Sequence, residues 1–434
     1  MNKIRLYLRQ SWNMIRQDKL FSGIYIAGTG LAIALTMTLF IILFVKFAPV
    51  YPEYNRDRMV VTSGVKRESK DTANRNFWIY KSSYRLVEMI RELPSVDAVT
   101  GIVLSWDNLK VDVSAGYGSI KATRLFTDAD YWRVYDFMFV DGRPYTDADV
   151  MSETKVAVVS QSFANMLFLT EDAAGRTFSL SGDEYRVAGV VKDVAASLSK
   201  NTAGDVWIPH TLSEDYVSAN EGNSLLGNYE VAVTAKSEDE TDKVKSEIKE
   251  MIHRINAQDK EYNTVILGPD RYWENTFRMS EHLAIDEGMK VYVFVLIAVL
   301  VIPALNMGGM ISSKMERRRP ELGIRKTYGA SRGQLLVQIL WENMLLTLLG
   351  GVVGVILSYV IVLSANEWIV NLLDVSLIVK QDLLSGNLSL EMLFNWPVFA
   401  LTLVTCLVLN LISSMIPAVM SLRHTIINSL KSKQ

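Results

Sequence analysis

Four stretches of this chain carry almost no charge, and they dictate most of what it can become. Leu20 to Val45 is an uncharged run bracketed by Lys19 and Lys46. Val291 to Ser313 lies between Lys290 and Lys314, and Met392 to Leu422 between Glu391 and Arg423. The remaining stretch runs from Leu335 to Ala365, with Glu342 near its start. The hydrocarbon core of a bilayer is about 30 Å thick, which a helix crosses in ~20 apolar residues. Each run is long enough, and the fourth is long enough to tilt. The first exceeds the roughly 7–15 residues of a signal-peptide core and ends in Lys46-Phe47-Ala48-Pro49 with no A-x-A site. It is therefore expected to stay as an anchor.

Charge sets the orientation. Of the 45 Lys and Arg and 47 Asp and Glu, 27 and 38 fall between Ala48 and Asp286, leaving 18 basic and 9 acidic residues for the rest. Basic residues concentrate on the cytoplasmic side of membrane helices. They cluster before the first run (Lys3, Arg5, Arg9, Arg16, Lys19), after the second (Lys314, Arg317, Arg318, Arg319, Arg325, Lys326, Arg332) and after the fourth (Arg423, Lys431, Lys433). The loop between the third and fourth runs has only Lys380 against Glu367, Asp374, Asp382 and Glu391. The reading is a membrane protein with four transmembrane α-helices and both termini cytoplasmic. A large mixed α+β extracytoplasmic domain lies between helices 1 and 2. In order, this gives an amphipathic cytoplasmic helix over 1–19 and a first span over 20–47. The outside domain covers 48–286, and a stalk end with the second span covers 287–313. A cytoplasmic loop over 314–334 leads to the third span, 335–365. An external loop over 366–391, a fourth span over 392–422 and a tail over 423–434 complete the chain. In the N-terminal stretch Ile4, Leu8, Trp12 and Ile15 share a face beside Arg5, Arg9 and Arg16. This suits a helix lying on the inner leaflet as well as an extension of the first span.

The outside domain alternates helical and strand periodicity. Helices are expected at Ser82 to Leu93, Gln161 to Phe168 and Glu238 to Asn256. Strands are expected at Ser95 to Leu104, Lys155 to Val159 and Asn263 to Leu267. Thr177 to Leu180 and Tyr185 to Val191 should pair around the Ser181-Gly182-Asp183 turn. A helix from Asn275 to Lys290 could run unbroken into the second span as a stalk. Two lobes are expected, an inner one from 51–110 and 215–285 and an inserted one over about 115–210, because both ends of an inserted lobe can return to one place.

Few motifs carry chemistry. There is no Walker A sequence; Gly28-Thr29-Gly30 lacks the Gly-Lys-Ser/Thr ending. The lone Cys406 and the scattered His210, His253, His282 and His424 do not assemble a metal site. No metal, cofactor, nucleic-acid partner or enzymatic role is expected. Gly329-Ala330-Ser331-Arg332-Gly333 matches G-x-S-x-G, but a nucleophile elbow needs a strand before it and a helix after it. Gly350, Gly351 and Gly354, with Gly30 and Ala34, form small-residue pairs that let helices approach closely, either within one subunit or between two. Glu342 sits near the cytoplasmic end of the third span and suits a structural or coupling role better than a deep proton relay.

The loop after the second run holds the most information. Pro320 can open a short helix and Gly329 can end it, giving about nine residues. Leu322, Ile324 and Tyr328 are apolar on a piece too short to bury them alone. Such a loop could snorkel at the membrane surface or plug a partner's groove. A receptor signalling inward is a rival for the whole chain, although only short cytoplasmic pieces exist to signal through.

The stretch Arg319 to Ala330, then Gln338 to Glu342, then Leu349 to Gly354 resembles the FtsX-like permease family. Pro320 departs from the Thr-x-Glu-Ile-Gly-Ile-Arg that usually opens this motif. Ala129 to Val134, Asp141-Gly142-Arg143, Val156 to Ser160 and Tyr185 to Asp193 resemble the MacB-type periplasmic core domain. Pro417-Ala418 through Leu430 is similar to the family's C-terminal end. The resemblance implies an inner-membrane ABC transporter permease working as a homo- or heterodimer, in a family whose ATPase is either separate or fused; without a Walker A sequence here, the ATPase is expected on a separate chain. It further implies that Glu321, Leu322, Gly323, Ile324, Arg325, Lys326, Tyr328, Gly329 and Ala330 couple to that ATPase. Movement would pass through the helices to the periplasmic domain by mechanotransmission, with an envelope adaptor as a possible further partner.

Overall fold

The structure is a computed structural model. It describes residues 19–71, 76–105, 111–112, 119–120, 122–194, 201–213, 225–277, 285–364 and 396–423, with isolated positions between 9 and 17. Four long helices hold the apolar runs: Lys19–Phe47, Ile285–Arg317, Arg332–Ser364 and Trp396–Arg423. Ser22–Ile41 in the first and Arg332–Ile361 in the third are each apolar over a bilayer-spanning length. In the second and fourth, the apolar stretches among the described residues are shorter, Gly288–Ala298 and Phe399–Leu409. The external loop 366–391, the tail beyond Arg423 and most of the N-terminal stretch lie outside the described residues. So do residues 278–284, over which the expected stalk would have to run.

The chain divides into two compact units, one carrying the long helices and the other built mainly from Val45–Met289. The second unit has sixteen strands among its described residues. In chain order they are β1 (Met59–Thr62), β2 (Gly64–Ser69), β3 (Phe77–Ser82), β4 (Val96–Ser105), β5 (Val111–Asp112), β6 (Ser119–Ile120), β7 (Arg124–Thr127) and β8 (Phe139–Gly142). There follow β9 (Val156–Ser160), β10 (Thr177–Leu180), β11 (Asp183–Val191), β12 (Val206–Pro209), β13 (Leu226–Gly227), β14 (Glu230–Ala235), β15 (Tyr262–Leu267) and β16 (Asp270–Arg271). Twelve form one mixed sheet, ordered β16-β1-β14-β4-β7-β12-β9-β11-β10-β5-β6, with β8 on β11. The other four make a smaller antiparallel sheet, β13-β3-β2-β15.

Local chemistry accounts for the elements. In the β10–β11 hairpin Leu180 pairs with Asp183, and Ser181 and Gly182 turn the chain with φ of 53° and 93°. Two left-handed residues match the twist of the flanking strands, and glycine tolerates that region at no steric cost. The helix Thr241–Gln258 turns Val244, Ile248, Met251 and Ile252 inward at helical spacing, and Tyr84–Arg91 does the same with Leu86, Val87 and Ile90. These two faces share a buried cluster with Val60, Val99, Val231 and Ile266. A second cluster gathers Phe126, Val159, Phe163, Phe178, Val190 and Ile208. Each large apolar side chain so buried contributes about 1.5–3 kcal/mol.

The Asp141-Gly142-Arg143 and Ala188-Gly189-Val190 segments cross where β8 meets β11, with Gly189 opposite Gly142. Gly142 has φ of 67°, and a side chain there would collide with the Ala188 carbonyl oxygen. Only glycine allows the two backbones to close that far. Asp141 pins the crossing by accepting from the Gly142 and Ala174 amides, both at 2.8 Å. These backbone donors hold its carboxyl below the usual range.

The two ends of this unit meet at a buried ion pair. Glu53 and Arg56 follow the first long helix and are 0% and 3% exposed, with Arg56 Nε donating to Glu53 at 2.8 Å. Glu53 also accepts from the hydroxyls of Thr202 at 2.8 Å and Tyr272 at 2.7 Å. Arg56 donates to the Ala48 carbonyl at 2.7 Å and lies over the Tyr272 ring. Burial opposes the charge on Arg56, but Glu53 outweighs it and raises its pKa. Next to this node, the Tyr131 hydroxyl donates to Asn201 and accepts from the Trp207 indole.

Candidate functional site

The short helix between the second and third long helices spans Arg319–Thr327. Pro320 lies in its first turn, where a missing amide proton costs nothing. Glu321 in the first turn and Arg325 and Lys326 in the last complement the helix dipole. At its end the Ala330 amide donates to Arg325 and the Gly329 amide to Lys326, both at 3.1 Å, with Gly329 at φ of 89°. This is a Schellman closure, in which the glycine takes the left-handed position. Ser331 and Gln334 then open the third long helix with reciprocal side-chain-to-amide bonds of 3.3 and 3.1 Å. Ser331 therefore sits after a helix-ending turn rather than a strand, and its hydroxyl caps the next helix.

The helix is held along one side. Leu322 is buried with Tyr25, Ile311, Met315, Leu335, Ile339 and Leu346, and Ala330 packs at the margin. Gly323 is buried beside it. A chain of charges runs around this apolar contact. Arg318 Nε donates to Glu321 at 3.1 Å and its Nη1 to Glu342 at 2.5 Å. Arg325 donates to Glu321 at 2.6 Å and to Gln338 at 2.7 Å. Burial works against the Arg318 charge, yet Glu342 and Glu321 prevail and raise its pKa. The opposite side is bare: Ile324 is 50% exposed and Tyr328 88%. Of the nine loop residues singled out in the sequence, Leu322 and Gly323 are buried, Glu321 and Arg325 form a charged frame, Ile324 and Tyr328 make an exposed apolar face, and Lys326, Gly329 and Ala330 take part in the turn that ends the helix. Sequence reasoning did not assign Arg318 and Gln338 to the site. The signal available was the Gln338 to Glu342 stretch, whose polar residues recur on one face of an otherwise apolar helix.

The small residues sit where two long helices meet. A side chain at Gly354 would come 2.7 Å from the Gly30 carbonyl oxygen, and one at Gly350 2.9 Å from Thr29. One at Gly30 would meet Gly350 and Val353. Gly351 faces Leu403 on the fourth long helix, and Ala34 is fully buried.

A separate polar cluster is buried in the β-rich unit. Asp128 accepts from Thr100 Oγ1 at 2.6 Å, from the Tyr131 and Gly101 amides, and from Tyr84 and Arg91 at 3.2 and 3.3 Å. Burial pushes its carboxyl up to about 6 despite these donors. The Tyr84 ring lies tilted against the His210 ring, with centroids 4.1 Å apart, and His210 Nδ1 bonds the Tyr229 hydroxyl at 3.1 Å. Burial, then the nearby Arg91, lowers the imidazole to about 3. His210 is packed within the fold, and among the described residues no three His, Cys, Asp or Glu side chains gather as metal ligands.

Comparison with known proteins adds to this geometry. The sequence profile described as MacB-like periplasmic core domain matches residues 22–251, and that described as FtsX-like permease C-terminal matches residues 293–426. An uncharacterized ABC transporter permease, YknZ of Bacillus subtilis, is 31% identical over 235 residues, covering 53% of this chain and 54% of that protein. The macrolide export ATP-binding/permease protein MacB of Hahella chejuensis is 24% identical over 280 residues, covering 63% of this chain and 39% of that protein. The chain thus spans about half the length, or less, of these relatives. The solved extracellular domain of a noncanonic ABC-type transporter YknZ from Gram-positive bacteria is 17% identical, covers 48% of this chain and 100% of that one, and superposes with a TM-score of 0.34.

Proposed function

The chain belongs to the FtsX-like permeases that carry a MacB-like periplasmic core domain, and from that membership we propose that it is the permease subunit of an ABC transporter. Its four long helices cross the inner membrane with both termini cytoplasmic, and the Val45–Met289 unit stands on the periplasmic side as two lobes around the two buried clusters. A second permease chain completes a dimer. A separate ATPase docks on the short helix Arg319–Thr327, and its nucleotide-driven closure reaches the periplasmic domain through the long helices.

One observation carries this reading. The short helix is anchored along one side by Leu322 and the arginine–carboxylate frame, while Ile324 and Tyr328 on the other side stay exposed among the described residues. A helix that presents two apolar residues from a rigid frame suits a groove on a partner protein. The test is co-purification of the full chain with its ATPase from the native membrane. Aspartate at Ile324 and Tyr328 should weaken capture by about 30-fold or more, the loss of two central apolar contacts. Unchanged capture by the double variant overturns the docking site.

A further inference from the structure

We propose that Glu342 is the positioning residue that fixes the short helix Arg319–Thr327 to the third long helix, so that load applied to Ile324 and Tyr328 enters that helix at Glu342. The inference rests on the docking reading above and names the residue that carries the load onward.

Leu322 alone cannot do this. A single buried leucine sets the depth of a helix against its neighbour and leaves it free to roll about that point. Rotation is fixed by contacts on both sides of the pivot, and the described residues include one on each side. Arg318, at the start of the short helix, reaches Glu342, and Arg325, near its end, reaches Gln338. Arg318 and Arg325 stand seven residues apart, about two turns, and so share one face of the short helix. Gln338 and Glu342 stand four apart and share one face of the third long helix. The two links form parallel rungs, and Glu321 ties them together by accepting from both arginines.

The rungs are unequal. Gln338 is a neutral acceptor, and its partner Arg325 keeps 35% of its side chain in water. The Glu342 and Arg318 side chains are 3% and 11% exposed, and the bond between them is the shorter, at 2.5 Å. A desolvated charge pair is far stiffer than a solvated one, since screening falls with water content and either charge left alone is strongly penalised. Glu342 also lies on the face that carries Ile339 and Leu346, which are buried in the same cluster as Leu322 and Tyr25. A push at the short helix therefore meets its firmest resistance ten residues into the helix Arg332–Ser364, about 15 Å along it.

Two measurements test this. The first is hydrogen exchange on the full-length chain in detergent, comparing the unaltered protein with Glu342→Ala and with the double variant Arg318→Met/Glu342→Leu. The double variant removes both members of the Arg318–Glu342 pair, so neither charge is left buried without the other. In both, amides of 321–327 should exchange at least tenfold faster, with those of 345–360 unchanged. Exchange within twofold of the unaltered protein in the double variant overturns the anchoring. The second uses the complex with the co-purifying ATPase and ADP–vanadate as probe. The double variant should still capture the ATPase, while the vanadate-induced change in exchange across the third long helix is lost. A response of full size overturns transmission through Glu342. Failure of the unaltered chain to capture any ATPase overturns the docking reading instead, and the first measurement decides the anchoring by itself.

Discussion

Replacing Glu53 by alanine should be among the most damaging single changes in the periplasmic domain. Glu53 is fully buried and accepts from Arg56, Thr202 and Tyr272 within 2.7–2.8 Å. Its removal takes the carboxylate partner away from the Arg56 guanidinium, which is 3% exposed and keeps the Ala48 carbonyl and the Tyr272 ring. Breaking a buried pair by deleting one partner costs about 3–5 kcal/mol. In a domain of this size each kcal/mol shifts the midpoint by roughly 2–4 °C, so Tm should fall by about 6–20 °C. The assay is thermal unfolding of the detergent-solubilised chain followed by tryptophan fluorescence, since Trp207 lies beside the node. The double variant Glu53→Leu/Arg56→Met removes both charges and should recover most of the loss. It will still fall short by about 1–2 kcal/mol, because the hydroxyls of Thr202 and Tyr272 lose their acceptor. A drop below about 3 °C for Glu53→Ala, or a double variant as unstable as the single one, would refute the claim that desolvation of this pair governs the site.

Other expectations follow from the same geometry. Gly354→Leu places a side chain 2.7 Å from the Gly30 carbonyl oxygen, a backbone atom; it should cost at least about 1–3 kcal/mol in thermal unfolding, whereas Gly333→Ala, in open space, should be silent. His210, lowered to about 3, is neutral when folded; its contribution is complete above about pH 6.5 and is lost as pH falls toward 3, by about 1.4 kcal/mol per pH unit. His210→Gln should flatten the acid limb of a stability–pH curve, and an unchanged slope counts against a buried neutral imidazole. Asp128, raised to about 6, works in the opposite sense: it favours the fold below pH 3.8, and that contribution disappears as pH climbs through 6. Asp128→Asn should therefore gain about 3 kcal/mol on the unaltered protein between pH 4 and 7; parallel curves would contradict it. Ser331→Ala should cost about 1 kcal/mol in thermal unfolding through loss of the helix cap and leave the function of the assembled complex in place, whereas a nucleophilic Ser331 would lose all turnover.

Much of the secondary structure was legible residue by residue. The helix Gln161–Phe168 and the hairpin turn at Ser181-Gly182 follow from local periodicity and turn chemistry, which depend on neighbours in the chain. The short helix was legible for the same reason, with Pro320 at one end and Gly329 at the other. The pairing of β9 with β11 and of β7 with β12 in parallel was not, because parallel neighbours are joined through distant connections and leave no local mark. The long Asp183–Val191 strand exceeds the expected Tyr185 to Val191 because the tight turn lets Asp183 pair directly with Leu180.

At the candidate site the division is sharper. Composition and spacing alone determined that apolar helices carry a folded insert, that a basic loop with a short helix follows the second of them, and that Leu322, Ile324 and Tyr328 need cover. Only the tertiary structure decided which of the three is covered. Leu322 turns toward Tyr25 and Ile339, while Ile324 and Tyr328 stay exposed. It likewise decided that Arg318 belongs with Glu342, twenty-four residues away, and that Glu53 belongs with Tyr272, over two hundred residues away. The physical reason is the same in each case. A helix face or a turn is set by forces between residues close in sequence. A desolvated charge finds its partner only when packing has excluded water, and that depends on which distant segments the whole fold brings together.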